Sequence, residues 1–436
     1  MLICLKAWMG CKMSRRVVWV SIFFGLLFIG LLSVKVIRSD STLEAFSEII
    51  VPDQYSTIQE AINNAVDGDS IFVKAGTYYE HVVVNKTLSL FGEDVSTTII
   101  DGNETGRVID VVSDNVNITG FTVQRSGNIF YPDLDAGICL NGTTNCTVFQ
   151  NLLVHDGLGI SLLYSHRNTI ASNNVTGTAW IGIHLLNSSS NTISKNILDN
   201  NIFGGISGHA SSHYNSIYEN VISNSTYGTY YHDANYNTIF RNNISNMAVV
   251  GIWLQEQVNH NIVAENNLVN CSVGIRLLAP NYNNTIARNN ISLNLYGFYI
   301  ESSQNFIHHN NVLNNTQQAY VVLGAVNIWD DGYPSGGNYW SDYDGTDVDG
   351  DGIGDTPYVI DAYNVDWYPL MSPWARLLGD INDDGTVDIF DAQILATAFG
   401  STEGGKNWMA EADLNGDGII DIFDAIILAN NFGRTI

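Results

Sequence analysis

Basic residues are scarce. The 436-residue chain holds 18 Lys and Arg against 44 Asp and Glu, a formal net charge of -26. Six of the 18 (Lys6, Lys12, Arg15, Arg16, Lys35 and Arg38) and a single acid, Asp40, fall in the first 40 residues. From residue 41 onward the balance is 12 basic against 43 acidic groups, or -31. Such a surface repels nucleic acid and other polyanions unless cations bridge them, and it suits divalent cations. No nucleic-acid partner is expected. Cysteine is equally sparse. Of the five, Cys4 and Cys11 precede an apolar run, Cys139 and Cys146 are close together, and Cys271 is remote. One disulfide at most is allowed, and no Cys metal pattern exists.

Charge is missing altogether from Val17 to Val34, "VVWVSIFFGLLFIGLLSV", which follows Arg15-Arg16. As a helix this run spans roughly 27 Å at ~1.5 Å per residue, slightly short of a ~30 Å hydrocarbon core. No clean small-x-small cleavage site follows it. More positive charge precedes the run than follows it, so the N-terminus should stay inside. Residues 1–40 are read as an export signal, either cleaved or retained as an anchor, and Met13 is an alternative start. An extracellular or cell-surface location follows. Asn-x-Ser/Thr sequons at Asn85, Asn103, Asn117, Asn187 and Asn290 suit a glycosylated exterior, though Asn is abundant here for another reason.

That reason is a repeat. Gly159, Gly182, Gly205, Gly228, Gly251, Gly274 and Gly297 fall at a constant interval of 23. Each opens a phrase such as "GIHLL", "GTYYH" or "GIWLQ". A second phrase follows, such as "NTIASNNV" or "NTIFRNNI". Fixed self-similarity with short alternating β-rich phrases means a solenoid. No L-x-x-L-x-L line is present, which sets the leucine-rich solenoid aside. The period predicts an all-β fold, a right-handed parallel β-helix. Asn151, Asn173, Asn196, Asn220, Asn242, Asn266, Asn289 and Asn310 recur once per coil. Stacking at ~4.8 Å would let their amides hydrogen-bond up the column. Lys195, Glu219, Arg241, Glu265 and Arg288 precede several of them and alternate in sign. They predict an exposed charge ladder, each pair of small worth.

Within each Gly phrase, positions one and three after Gly should face in, and two and four out. "GTYYHDANYN" (228–237) is then one rung, with Tyr230 and His232 outward and Asp233 following. Its stacked neighbours include His184, Trp253, Arg276 and Tyr299, and Glu256 succeeds Asp233 in the next coil. Aromatic walls with polar groups between them suit sugar rings. His184, Tyr230, Trp253, Arg276 and Tyr299 are the candidate carbohydrate-binding residues. The plainer reading is a covered or merely decorated face, which outward leucines such as Leu163 and Leu186 favour.

The ends differ from the coils. Ser56 and Gln59 predict a capping box, and Ile58, Ala61, Ile62 and Ala65 form one apolar stripe, giving a capping helix over 54–66. Asp67-Gly68-Asp69 then leads into the first strand. This opening resembles that of the pectin lyase-like superfamily, and the Gly- and Asn-led repeats resemble NosD-type, or CASH, β-helix domains. After Val326 the composition shifts to Asp, Gly, Tyr and Trp. "GGNYWSDYDGTDVDGDGIGDTPYVID" (336–361) resembles the segment that ends NosD-type repeats. Asp347, Asp349 and Asp351 alternate, Gly352 permits a turn, and Asp355 follows, as in the first part of a calcium loop. Its twelfth position is Tyr358 rather than an acid.

The last segment repeats itself. "DINDDGTVDIFD" starts at Asp380 and "DLNGDGIIDIFD" at Asp413, each running into an apolar helix. Hard oxygen ligands at positions one, three, five, nine and twelve, with Gly at six, are calcium chemistry. They are Asp380, Asn382, Asp384, Asp388 and Asp391, then Asp413, Asn415, Asp417, Asp421 and Asp424. Thr386 and Ile419 would offer carbonyls at position seven. The pair resembles a type I dockerin over 379–436, a small α-helical EF-hand-like domain. That resemblance implies calcium as cofactor and a cohesin-type module as partner. Ile389-Phe390 and Ile422-Phe423 stand where many cohesin-binding dockerins carry small polar residues, so a different partner is the alternative.

The chain thus divides into 1–40, a β-helix over 41–328, an Asp/Gly-rich calcium-binding cap over 329–375, and the dockerin. The expected function is an exported protein that binds or processes polysaccharide and docks through its C-terminus, with the membrane as a further partner if 1–40 is uncleaved. The alternative is a polysaccharide lyase, epimerase or hydrolase. The resemblance to β-helix lyases would then give proton transfer to Tyr230 and His232, orientation to Asp233 or Glu256, and substrate carboxylate binding to Arg276. The paired Asp and Gly-His-Gly set of polygalacturonases is absent. Copper handling, implied by the NosD resemblance, ranks last: Met is scarce and the His residues spread over several coils.

Overall fold

The computed structural model describes residues 48–434 apart from 131–133, 376, 383–384 and 403–404. The 1–40 segment and Asp384 therefore lie outside the described residues. Two compact units are present, one spanning 46–374 and one whose described part begins at 375.

The larger unit is a parallel β-helix. Three parallel sheets of 12, 11 and 12 short strands run along it. One coil consists of Tyr227–His232 in the second sheet, Thr238–Phe240 in the first and Asn243–Ser245 in the third. The chain then returns to the second sheet at Val250–Leu254, directly beside Tyr227–His232. In the three-residue strands of the first sheet, and in those of the third sheet from Thr122 onward, the middle side chain points in, as period-two alternation demands. Ile193, Ile217, Ile239, Val263 and Ile286 stack in one buried column, and Leu198, Ile222, Ile244 and Leu268 in another.

Two devices hold the coils in register. The first is a column of buried asparagines. Asn242 Oδ1 accepts from the backbone N–H (3.0 Å) and side-chain amide (2.9 Å) of Asn220. Its own amide donates to Ile217 O, to Phe240 O and to Asn266 Oδ1. Each amide therefore ties three successive coils. The column runs from Asn151 to Asn310 and continues to Asn338. A second column, not singled out from the sequence, joins Asn168, Asn191, Asn215, Asn237, Asn261, Asn284 and Asn305. The second device is glycine. A Cβ on Gly228 would stand 2.4 Å from Gly251 O and 2.6 Å from Ile244 Cγ2, and the other repeat glycines meet the carbonyl of the following coil in the same way. The charge ladder forms where the register places it, with Lys195–Glu219 at 3.8 Å and Arg241–Glu265 at 2.9 Å.

One coil breaks the interior rule. Thr229 stands inward between Ile206 and Ile252, and Tyr231 between Gly208 and Leu254. Tyr231 fits because Gly208 beside it has no side chain; a Cβ there would sit 2.8 Å from the Tyr231 ring. The Tyr231 hydroxyl is buried without a hydrogen-bond partner among the described residues.

Both ends are closed. The N-terminal helix is Ile58–Asn64, with Ile58, Ala61 and Ile62 buried. Its N-cap is Thr57 rather than Ser56; Thr57 Oγ1 accepts the Glu60 N–H at 3.1 Å, and Glu60 reaches back to Ser56. Glu80 accepts the Ile58 and Gln59 N–H groups, and Lys86 Nζ donates to Ile62 O, Asn63 O and Ala65 O. An anion at the start and a cation at the end complement the helix dipole. At the far end Trp329 and Trp340 are fully buried, their indole N–H groups donating to Asn364 Oδ1 and Asp366 Oδ2. Cys139, Cys146 and Cys271 are free and buried.

The smaller unit pairs helices Ile389–Ala398 and Ile422–Asn431 over a core that includes Val387, Leu395, Ile420 and Leu428. Among the described residues no helix is long and apolar enough to cross a membrane.

Removing one rung should show what the ladder contributes. Asn242→Ala leaves several buried polar groups unmatched and is expected to cost at least about 3 kcal/mol. Tyr231→Phe deletes an unpaired hydroxyl and is expected to be neutral or to stabilise by about 1 kcal/mol. The urea midpoint should fall for Asn242→Ala and stay level or rise for Tyr231→Phe.

Candidate functional site

The outward face of the second sheet carries one side chain per coil in a straight file. Ser207 pairs with Tyr230, Tyr230 with Trp253, Trp253 with Arg276, Arg276 with Tyr299 and Tyr299 with Tyr320. A parallel file runs through Leu163, Leu186, His209 and His232.

The first half of this face is covered. Phe130 packs on Trp180 (5.3 Å between centroids) and on His184 (5.7 Å), and Leu134, Leu158, Leu163 and Ile181 complete an outer apolar cluster. His184 is only 3 % exposed and its Nδ1 lies 2.8 Å from Ser207 Oγ. The expectation that His184 lines a sugar groove therefore does not hold: the Phe130 ring lies over it. Burial, and then the neighbouring His209, lower the His184 pKa to about 3. Burial and His232 lower that of His209 to about 4.

The second half is open and aromatic. Tyr230 stands 4.9 Å from the His209 ring and 5.1 Å from Trp253, and Tyr227 stands 5.1 Å from Trp253. Tyr299 meets Tyr320 at 4.9 Å and Tyr296 at 5.7 Å. The Arg276 guanidinium lies between Trp253 and Tyr299, 5.1 Å from each ring. Its Nε and Nη2 donate to Glu301 Oε1 at 3.0 and 2.6 Å. Tyr230 Oη donates to Gln255 Oε1. Burial, with Tyr227 and Glu256 adding to it, raises the Tyr230 pKa.

The predicted catalytic residues are only partly assembled. Tyr230 and Arg276 share the file two coils apart, and His232 occupies the edge file. Asp233 lies past the strand in a left-handed corner (φ 49°), and its N–H donates to Glu256 O at 2.9 Å; the Glu256 side chain is exposed. Tyr227 and Tyr296 escaped the sequence reading for a physical reason. The strand pairing skips each repeat Gly, which points inward beside the next inward residue. Such a bulge reverses the alternation, so the residue before Gly faces out. A depression lined by Tyr79, Glu80, His81, Asp101, Asn103 and Thr105 lies near the N-terminal cap. Its acids already hold the capping helix and Arg125.

The acidic loops fold on themselves. Asp347 accepts from Gly350, Asp351 and Gly352 N–H groups, and Asp351 from Ile353 N–H. Carboxylate oxygens of Asp347, Asp349 and Asp351 come within 4.8 Å of one another, while Asp355 Oδ2 accepts the Val348 N–H. In the smaller unit, Asp413 accepts from Gly416, Asp417 and Gly418, and Asp424 from Leu414, Asn415 and Asp421. Asp380 accepts from Gly385, and Asp391 from Ile381, Asn382 and Asp388. Asp388 and Asp421 are also the helix N-caps. Phe390 and Phe423 are exposed, 57 % and 60 %, as are Ile389 and Ile422.

Against known families, residues 62–225, 179–289 and 278–345 match "Periplasmic copper-binding protein (NosD)". The chain belongs to the NosD family. Residues 378–433 of this NosD-family chain also match the dockerin type I domain. The probable pectinesterase/pectinesterase inhibitor 6 of Arabidopsis thaliana is 25% identical over 171 residues, 34% of this chain. The chain spans only 30% of that relative's length. Among solved structures, the A-module of mannuronan C-5 epimerase AlgE6 from Azotobacter vinelandii has a TM-score of 0.51 at 13% identity. It covers 63% of this chain and 94% of its own. The tailspike protein of E. coli bacteriophage HK620 has a TM-score of 0.50 at 13% identity, covering 64% and 62%. These likenesses show the β-helix fold.

The covered histidines give a pH signature. His184 and His209 are held neutral in the folded chain but bind protons once unfolded, below their ordinary pKa of 6.5. Stability should therefore be full above pH 6.5 and fall as the pH drops, the His209 share down to about 4 and the His184 share down to about 3. His184→Gln should flatten part of that fall in thermal midpoints measured across the range.

Proposed function

We propose that the protein binds an extended, largely uncharged polysaccharide along the open half of the second sheet, and that its dockerin, folded around calcium, docks it to a cohesin-type partner. The observation that carries the first part is the unlidded aromatic file. From Tyr230 to Tyr320 it runs for roughly 19 Å at ~4.8 Å per strand. Ring faces take sugar C–H surfaces, and the flanking groups, His232, Gln255 and Glu301, take hydroxyls. The one cation in the file, Arg276, is already paired with Glu301, and the surroundings are acidic, so a polyanion gains little. Binding is favoured over catalysis because Tyr230 and Arg276 are committed to Gln255 and Glu301 rather than to a shared reaction centre. An epimerase of mannuronan and a tailspike solved with a pentasaccharide share the fold and support a saccharide ligand by analogy.

The test uses the full chain against neutral and acidic polysaccharides, with calcium and with chelator, following both retention and new chain ends. Retention without new ends is expected, and Trp253→Ala should weaken it at least about tenfold, or ~1.4 kcal/mol, under conditions where the variant is still folded. A panel with no ligand, or a Trp253→Ala variant that binds like the parent, would sink the proposal. New ends that vanish in His232→Ala would establish the enzyme instead.

Calcium fits the dockerin donor set. Asp380, Asp391, Asp413 and Asp424 are buried, and buried carboxylates require compensation that backbone N–H groups supply only in part. Asp413, Asn415, Asp417 and Asp424 would hold the ion in the second loop, and Asp380, Asn382 and Asp391 in the first. The Asp347, Asp349 and Asp351 cluster is a third candidate. An exported, surface location accords with both families. Chelation should expose 375–436 to protease while 46–374 stays resistant, and Asp424→Ala should do the same with calcium present. Equal cleavage with and without calcium would remove the cation from this account.

A further inference from the structure

The first sheet ends at Phe306–His308, and the chain returns across that end through the segment around Asp331 to Ser335. His309, next in the chain, adopts a left-handed corner (φ 56°). The Nδ1 atoms of His308 and His309 are 3.1 Å apart. His309 Nε2 lies 2.9 Å from Ser335 O, which can only accept. Nε2 therefore carries the proton, and Nδ1 turns its lone pair toward His308. Ser335 Oγ donates to Asp331 Oδ2 at 2.8 Å. One ligand atom from each of His308, His309 and Asp331 lies within 4.8 Å of the other two. Trp374 stacks along His309 at 6.4 Å.

We propose that His308, His309 and Asp331 form a binding site for a divalent transition ion of the copper–zinc class. Two imidazoles and a carboxylate select such ions over calcium, which takes oxygen ligands. Two nitrogens at ~2.0 Å from one ion stand ~2.8 Å apart at a right angle and ~3.3 Å apart at the tetrahedral angle. The observed 3.1 Å falls between these limits. The outer ring nitrogen of His309 is fixed by a backbone carbonyl, the usual arrangement behind a metal-ligating histidine. Arg288, whose guanidinium lies 5.8 Å from the Trp374 ring, opposes a cation there, and Asp331 offsets that charge. The NosD family is described as copper-binding, and these three residues give such an ion a place in this chain. In the sequence the histidines spread over several coils. Here two adjacent ones gain a third ligand from 22 residues downstream, and the site is independent of the saccharide file.

The experiment takes the full chain stripped of transition metals and saturated with calcium, adds Cu(II) or Zn(II) alone, desalts, and measures retained metal. One equivalent is expected, with imidazole nitrogen couplings in the electron paramagnetic resonance spectrum of the Cu(II) form. Asp331→Asn, an exposed and conservative change that removes a direct ligand, should weaken binding by more than the about 10–100-fold typical of losing an outer-shell partner. The His308→Ala/His309→Ala double variant should lose the equivalent. Retention of no metal by the parent chain overturns the proposal and leaves the 3.1 Å contact as an imidazole–imidazole hydrogen bond. Unchanged uptake by a folded double variant also overturns it. If that variant does not fold, a Cu(II) spectrum without nitrogen couplings, or an unchanged Asp331→Asn affinity, overturns it equally.

Discussion

The buried asparagine amide is the contact on which the other features rest. A coil of three short strands must turn three times, and at each turn the backbone leaves the sheets with N–H and C=O groups unpaired. Burying those groups without partners would be costly. Asn220, Asn242 and Asn266 meet them by reaching one coil back and one coil forward. Identical residues must then stand above one another, so the columns fix the register of every sheet at once. The residues before these asparagines accept a left-handed backbone, φ 53° at Arg241 and 55° at Glu265. That strain recurs in coil after coil and is offset by the amide that follows.

With register fixed from inside, the exterior is free to vary, and its files differ in kind. Tyr214, Tyr236 and His260 also stack up one corner, at 5.0 and 4.9 Å and within 9° and 5° of parallel. Their faces are consumed by one another, so this column serves the solenoid. The rings from Tyr227 to Tyr320 are tilted and interrupted by Arg276. Tilted rings keep part of each face for a ligand, which separates a platform from a ladder.

Much of this was legible in the sequence, because a solenoid converts spacing directly into contact. The period, the Asn column, the charge alternation and the outward direction of Tyr230 and Trp253 all follow from counting by 23 and by two. What escaped depends on departures from that counting. Tyr227 is turned outward by a bulge that exists because Gly228 faces the carbonyl of the next coil. His184 sits at an outward position, yet Phe130, more than 50 residues earlier, lies over it. Thr57 took the cap from Ser56 because Glu60, not Gln59, returns to the helix start. His308 and His309 look like one more variant of the second phrase until the returning segment supplies Asp331.

The charge imbalance is the remaining clue, and it is local rather than general. Carboxylates crowd into turns where each accepts N–H groups of its own loop, as Asp347 does from Gly350 and Gly352. Those bonds shape the loop and favour the anion, but they do not remove the repulsion between neighbours. Asp349 shows the conflict: the Asp351 N–H favours its ionised form, yet the Asp351 and Asp347 carboxylates outweigh that and raise its pKa. A cation placed among them would reverse the sign of that balance, favouring the ionised form of all three acids together. The same backbone bonds that make these turns fold thus leave them electrostatically incomplete, and this links the acidic composition of the chain to divalent ions rather than to solubility alone.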